Sequence, residues 1–164
     1  MATGLRYEQH FSGEPATVMA MLRHPDYVRK KGERTGATEV TVDVADSPDG
    51  GVVITSVRSM PAEVPSYAAP FVGDTITLTE TQTWTPPAED GSARAEVTVV
   101  FDSPLAYRGS IVLTPSPDGV VLHNEGDFKA SVPFVGGKVE KVAAEMTEKY
   151  LAKEATVGAE WLSG

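Results

Sequence analysis

Apolar and polar residues alternate along most of the first 130 positions, a period typical of half-buried strands. The alternation predicts about seven strands, at residues 3–11, 40–44, 52–59, 74–84, 94–101 and 107–114, with the last strand and its exit at residues 120–134. Turns rich in Pro, Asp and Gly separate several of these strands. Because short turns join antiparallel neighbours, the pattern predicts an antiparallel meander.

Two short helices are predicted directly after the first strand. Pro15 suits the first turn of a helix, and apolar residues continue to position 22. The pair His24-Pro25 interrupts the helical pattern, because a proline disfavours helical geometry in the residue before it. A second helix is therefore expected from residue 25 to about Lys31, where Gly32 ends it.

The C-terminal segment carries the clearest helical signal. Apolar side chains recur at steps of three and four between positions 136 and 162, while Lys and Glu fill the other face. The apolar set is Val139, Val142, Ala143, Met146, Tyr150, Val157 and Trp161. Gly158 is expected to loosen the last turn. A helix of about 25 residues is about 38 Å long, enough to lie across a whole sheet.

Residues 61–74 contain three prolines and no regular period, so they are predicted to form a long connecting loop. Loops of this length in compact domains are often functional. The loop also carries several apolar side chains. We therefore expect residues 60–71 to form a lid over a pocket.

Composition narrows the class of protein. The chain has 164 residues, of which 41% are hydrophobic and 23% charged, as is typical of one globular domain over residues 1–164. It contains no cysteine, which excludes disulfides and cysteine-based metal sites. It has no apolar stretch of 18 residues, and its first residues lack the features of a signal peptide. We expect a cytoplasmic protein without integral membrane contact.

The net charge of −9 is concentrated in the middle of the chain. Residues 39–127 contain three basic and fourteen acidic side chains, which argues against nucleic-acid binding. One basic cluster stands out, at Arg29, Lys30, Lys31 and Arg34. This cluster is either a docking patch for an anionic partner or a solvated helix end whose cations face the negative end of the helix dipole.

The entry to the long helix has a distinctive sequence, Ser131-Val132-Pro133-Phe134-Val135-Gly136-Gly137-Lys138-Val139-Glu140. This junction, the opening Tyr-x-x-x-Phe strand and the segment 21–27 resemble an uncharacterised bacterial branch of the START and birch-pollen-allergen superfamily, also called SRPBCC. The resemblance covers essentially the whole chain and implies a helix-grip fold of the α+β class. Such a fold has a curved antiparallel sheet of about seven strands, two short helices after strand 1, and a long C-terminal helix packed across the sheet.

The resemblance also implies a kind of function. Members of the superfamily usually bind an apolar small molecule or lipid in a cavity that the long helix closes against the sheet. Some act as polyketide cyclases or hydratases, and others are co-chaperones or stress-response proteins. Because no motif in this chain is catalytic, the resemblance argues for the fold more than for any one activity.

Strand parity predicts which side chains face such a cavity. Four polar residues fall on the inner face: Gln9, Glu80, Gln82 and Asn124. Either they bind the polar end of an apolar ligand, or they lie near strand ends and bond to each other, to the backbone or to water. Glu80 is the candidate acid or base, because burial in an apolar cavity would raise the pKa of its carboxyl.

The predicted ligand-binding set combines these polar residues with residues of the strands, the loop and the middle of the long helix. It comprises Tyr7, Gln9, Met60, Tyr67, Phe71, Leu78, Glu80, Gln82, Val99, Phe101, Ile111, Leu113, Asn124, Met146 and Tyr150. His123 and Glu125 could form a pair or half a metal site, but no third ligand is evident, so neither a metal nor another cofactor is expected.

Three functions remain open at this point. The first is binding, and with it transport or sequestration, of a hydrophobic small molecule or lipid in a cavity of several hundred Å³. The second is an enzyme of the polyketide cyclase or dehydratase type that uses Glu80. The third is a protein-interaction module with a filled core and no cavity. The ligand and the oligomeric state do not follow from the sequence.

Overall fold

Seven strands form one antiparallel sheet in the part of the chain that the structure describes. The structure is a computed structural model that describes residues 2–71 and 73–164, with the backbone alone at Phe71. The strands are β1 (Thr3–Phe11), β2 (Glu39–Asp46), β3 (Val52–Pro61), β4 (Thr75–Trp84), β5 (Ala93–Phe101), β6 (Leu105–Ser116) and β7 (Gly119–Ala130). Their order across the sheet is β1-β7-β6-β5-β4-β3-β2. The predicted antiparallel arrangement is confirmed.

The helices lie where the helix-grip fold requires them. They are α1 (Pro15–Leu22), α2 (Pro25–Arg34) and α3 (Gly136–Ser163), and a 3-10 turn at Ala69–Phe71 lies in the long loop. α3 packs against β1 and β7 and also contacts α2. The prediction of an α+β helix-grip fold, with two short helices after β1 and a long C-terminal helix on the sheet, is confirmed.

α2 continues beyond its predicted end at Gly32. This glycine is buried within the helix, and a Cβ at its position would lie 2.9 Å from Val40 Cγ2. The prediction is wrong because the glycine allows α2 to pack closely on β2 instead of ending the helix. The helix ends at Arg34, two residues before Gly36, whose positive φ of 113° suits a glycine after a helix.

Gly158 lies deep in the interface between α3 and the rest of the protein. It is buried, and α3 continues past it to Ser163. A Cβ on Gly158 would overlap the ring of Phe11 and come within 3.2 Å of Tyr27 Oη. The expectation that this glycine loosens the last turn is wrong, because its missing side chain allows α3 to approach β1 and α2.

A buried carboxylate fixes the entry to α3. Glu140 is 3% exposed and accepts hydrogen bonds from Ala130 N at 2.8 Å and Thr3 Oγ1 at 2.9 Å. Burial alone would raise the pKa of Glu140, but these hydrogen bonds and the charge of Lys129 hold it below its ordinary value. Glu140 therefore joins α3 to the end of β7 and the start of β1 while it is ionised.

Glu140→Gln is expected to lower the free energy of unfolding by about 1–2 kcal/mol at neutral pH, because hydrogen bonds to a charged acceptor are lost. The folded-state pKa lies below the ordinary value of 4.5. The stabilisation that the ionised Glu140 provides is therefore complete above pH 4.5 and is lost as the pH falls through the folded-state pKa. Urea unfolding at neutral and at acidic pH measures the difference from wild type, which should shrink at acidic pH.

The exposed Glu145 on the same helix provides the matched control, Glu145→Gln. An equal loss of stability in this control would show that any charge removed from α3 has the same effect. A loss in Glu140→Gln that persists unchanged in acid would also contradict the role assigned to the ionised carboxylate.

Candidate ligand cavity

A cavity of about 200 Å³ lies between the inner face of the sheet and α3. Its walls come from α2, from the loop between β3 and β4, from α3 and from the inner face of the sheet, where every strand except β2 contributes residues. The hypothesis of a filled core predicted no cavity and therefore loses its premise. The cavity is smaller than the several hundred Å³ that the binding hypothesis predicted.

Most of the predicted ligand-binding residues are brought together around this cavity. Twelve of the fifteen line it: Gln9, Met60, Tyr67, Leu78, Glu80, Gln82, Val99, Phe101, Ile111, Asn124, Met146 and Tyr150. They converge because strand parity and the helical stripe place their side chains on facing surfaces. Their role in binding a ligand stays a prediction.

Three predicted residues stand apart from this group. Tyr7 is half-buried on the edge strand β1 and does not line the cavity. Leu113 does not line it either, since it lies in the solid part of the core with Val18 and Val120, all three being fully or almost fully buried. The side chain of Phe71 lies outside the described residues.

The polar pair Gln9 and Asn124 is satisfied within the protein. Asn124 Nδ2 donates to Gln9 Oε1 and to the Tyr7 carbonyl, each at 3.2 Å. Gln9 Nε2 in turn donates to the Leu151 carbonyl of α3 at 2.8 Å. These bonds match the interpretation in which inner polar groups pair with each other and with the backbone.

The long loop forms part of the wall. Val64, Pro65, Tyr67 and Ala68 all line the cavity. Tyr67 Oη donates to the Lys138 carbonyl at the start of α3, at the long distance of 3.5 Å. The loop thus lines one side of the cavity and contacts the first turn of α3, and its role as a lid stays a prediction.

An ion pair joins β3 to β4 in the cavity wall. Arg58 Nη2 lies 3.0 Å from Glu80 Oε1, and the two side chains are 13% and 18% exposed. Glu80 Oε2 accepts from Gln82 Nε2 at 3.0 Å, and Gln82 Oε1 accepts from Trp84 Nε1 at 2.9 Å. Arg58 Nε is a buried donor with no hydrogen-bond partner among the described residues.

The ion pair reverses the expected titration of Glu80. Burial would raise the pKa of this carboxyl, but the charges of Arg58 and Lys31 and the hydrogen bond from Gln82 lower it below its ordinary value. The expected rise is therefore wrong, because the neighbouring cations come from other elements, whose packing the sequence pattern does not give. A carboxylate held ionised in this way is poorly suited to act as a general acid.

A second ion pair joins α2 to α3. Lys31 Nζ lies 3.4 Å from Glu154 Oε1, and the side chains are 10% and 14% exposed. Burial would lower the pKa of Lys31, but Glu154, Tyr27 and Glu80 together raise it above its ordinary value. Lys31 is therefore a protonated cation in the cavity wall.

The predicted basic cluster is divided by the fold. It comprises Arg29, Lys30, Lys31 and Arg34. Lys31 lines the cavity, while Arg29 lies 3.2 Å from Asp26 Oδ1 and Arg34 lies 2.9 Å from Glu160 Oε2. Lys31 and Arg34 lie in the last turn of α2, as the helix-end interpretation predicts, but Lys31 is buried against the cavity and not solvated; the docking patch stays a hypothesis.

His123 pairs across strands rather than along its own strand. Its Nδ1 lies 3.2 Å from Glu8 Oε2, and the two residues are register partners on β7 and β1. Glu125 instead contacts Arg6 at 3.2 Å. Direct cross-strand neighbours are closer than residues two apart on one strand, which explains the partners. In residues 2–71 and 73–164, no three potential ligand side chains are grouped to hold a metal ion.

Sequence reasoning found Glu80 but missed the other charged residues of the wall, among them Arg58, Lys31 and Glu154. Arg58 escapes assignment because β3 is apolar on both faces at its start, although its even positions include the buried Ile54 and Met60. Lys31 and Glu154 each follow an inward-facing tyrosine by four residues, at Tyr27 and Tyr150. Both charged residues thus lie one helical turn after a tyrosine of the inner face, and their opposite charges were the sequence signal that could have predicted an ion pair between the two helices.

A seven-stranded antiparallel sheet that holds a long helix, with a cavity between the two, defines a helix-grip fold of the START type. The chain belongs to a protein family of unknown function, DUF2505, whose model matches residues 6–162. No curated protein has a sequence that matches this chain significantly. Over residues 2–71 and 73–164, no helix is both long and apolar enough to cross a membrane.

Solved structures share this fold at low sequence identity. TTHA0849 from Thermus thermophilus matches with a TM-score of 0.67 and 14% identity, over 96% of this chain and 95% of that one. A START superfamily protein from Mycobacterium smegmatis matches with a TM-score of 0.60 and 16% identity, over 98% of each chain. A STAR-related lipid transfer protein from Xanthomonas axonopodis has a TM-score of 0.63 and 16% identity, over 97% of this chain and 85% of that one. At these identities the matches establish the START-type fold.

Proposed function

We propose that the protein binds a hydrophobic small molecule or lipid in the cavity between the sheet and α3, and so transports or sequesters it. The observation that supports this is the apolar wall. It is formed by Val99, Phe101, Ile111, Phe128, Val142 and Met146. Displacing water from apolar surface stabilises a complex by about 25 cal/mol per Å². A concave apolar wall with a few polar groups is typical of small-molecule sites.

The cavity volume suits a short or slim ligand. About 200 Å³ is below the roughly 300–1,000 Å³ of most ligand pockets. A larger ligand would need the wall to move, and residues 60–71 are the candidate lid because they hold one side of the cavity with few bonds to α3. We therefore expect binding to be accompanied by movement of this loop.

Met146→Trp is expected to abolish binding while the protein stays folded. Met146 lies in the middle of α3 and lines the cavity. The indole ring is larger than the methionine side chain and equally apolar, so it would fill the space of a ligand while the apolar contacts of the helix are kept. Displacement of an uncharged environment-sensitive dye such as N-phenyl-1-naphthylamine, followed by fluorescence, measures binding, and circular dichroism measures folding.

Lys149→Trp is the matched control, since it adds the same ring to the exposed face of the same helix. The control should bind the dye as wild type does. Full binding by a folded Met146→Trp variant would mean that the ligand lies elsewhere.

Catalysis by Glu80 has no comparable support. The enzyme hypothesis took Glu80 as an acid or base whose pKa burial would raise, and Arg58 and Lys31 lower that pKa instead. The filled-core hypothesis is opposed by the cavity itself.

A further inference from the structure

The charged side chains of the cavity wall form one neighbouring group. Lys31 of α2, Arg58 of β3, Glu80 of β4 and Glu154 of α3 all line the cavity, and we call them the charged quartet. Lys31 and Glu80 also line the same second, smaller cavity, next to Leu22 and Ile54. The two ion pairs therefore lie side by side and not at opposite ends of the cavity.

The charges of the quartet cancel. Each cation lies within ion-pair distance of its own carboxylate, at 3.0 Å for Arg58 with Glu80 and 3.4 Å for Lys31 with Glu154. Glu63 of the loop adds a further carboxylate to the wall, near Tyr150, whose pKa burial and Glu63 raise. In the described part of the chain, the cavity wall thus contains no cation that is free to neutralise an anionic ligand.

Arg58 nevertheless has donor capacity to spare. Only its Nη2 serves Glu80, and its buried Nε has no partner among the described residues. Its side chain is wedged against α2, since a Cβ on Gly32 would lie 3.3 Å from Arg58 Cδ. The buried Nε is closed to a ligand, but Nη1 also forms no hydrogen bond among the described residues, and it is the donor that an oxygen acceptor on a ligand in the cavity could accept from.

We propose that the cavity selects amphiphiles whose polar end is uncharged and carries an oxygen acceptor, such as an alcohol, an ester or a ketone, with the Arg58 guanidinium donating to that oxygen. This inference rests on the proposed function and names its ligand class. A carboxylate head group would meet cations that are already paired and three carboxylates in the wall. An ammonium head group would have to compete with Lys31 and Arg58 for Glu154 and Glu80. Glu63, which has no ion pair among the described residues, is exposed to water and would stabilise an ammonium little.

Three ligands with the same chain test the selection: decan-1-ol, decanoate and decylammonium. Their dissociation constants for the wild-type protein are measured by dye displacement at neutral pH and below the micelle concentration. Decanol should bind roughly tenfold more tightly than either charged ligand, because in the described wall a carboxylate is desolvated without an unpaired cation, and the one unpaired carboxylate that could meet an ammonium, Glu63, is exposed and attracts it weakly.

Glu80→Gln should reverse the preference between decanol and decanoate. The substitution leaves Arg58 without its carboxylate, so an anionic head group gains a free cation. Glu125→Gln removes the same charge from an exposed pair with Arg6 on the edge strands, and its ranking should equal that of wild type. Thermal unfolding verifies that both variants fold. If Glu80→Gln does not fold, the ranking of the three ligands on the wild-type protein still tests the inference.

The outcomes separate the two proposals. Wild-type protein that binds decanoate or decylammonium as tightly as decanol overturns the selection while apolar binding stands. A folded Glu80→Gln variant that still prefers decanol also overturns it. Failure of all three ligands to displace the dye would remove the proposed function, and this inference with it.

Discussion

Gly158→Ala should lower the free energy of unfolding by about 2 kcal/mol, although alanine is the better helix former. Helix propensity alone favours the substitution by about 1 kcal/mol. The new Cβ, however, would overlap the Phe11 ring and press on Tyr27 Oη, and overpacking of this kind costs up to about 3 kcal/mol. The steric effect should therefore exceed the gain in propensity, and urea unfolding measures the difference.

Gly137→Ala on the same helix is the control of opposite sign. A Cβ there has no atom within 4 Å, so only the propensity gain of up to about 1 kcal/mol remains. A Gly158→Ala protein as stable as wild type would show that α3 is not held as closely to Phe11 as we describe.

Arg58→Met should destabilise the protein by about 3 kcal/mol. The loss of one partner leaves Glu80 as an uncompensated charge in a largely buried position, and such losses cost about 3–5 kcal/mol. The lower end of this range is expected because Lys31 remains close to Glu80. Chemical unfolding at neutral pH measures the effect.

A double variant tests the reason for that loss. Adding Glu80→Leu to Arg58→Met removes the stranded charge, so most of the stability should return. Arg6→Met, which breaks the exposed pair with Glu125, should cost less than about 1 kcal/mol. A double variant no more stable than Arg58→Met would indicate that packing of the arginine stem, and not charge, dominates.

Period and parity were sufficient to predict the strands, their antiparallel order and the long helix, while the helix-grip packing of these elements was implied by the family resemblance. The threonines of β4 alternate with Leu78, Gln82 and Trp84, so one face is plainly inward, and the long apolar stripe predicts α3 almost to its end. Turns with Pro and Gly separate the strands clearly. Local patterns of this kind depend on neighbouring residues and can be recognised in one sequence.

The chemistry of the cavity could be predicted only in part. The inward position of Glu80 follows from parity, but its ionised state depends on Arg58 and Lys31, which come from other elements. Side-chain pairs between elements depend on how those elements pack, which no period encodes. For the same reason Gly32 and Gly158 resemble helix breakers in the sequence and prove to be sites of close packing.

Native mass spectrometry of the protein purified gently from its own host is the most direct test of binding in the cavity. We expect the wild-type chain to carry a reproducible extra mass that organic solvent releases, and the Met146→Trp chain prepared in the same way to lack it. A bare-chain mass for the wild-type protein, unchanged after incubation with decan-1-ol, would contradict the proposal that this cavity holds a hydrophobic ligand.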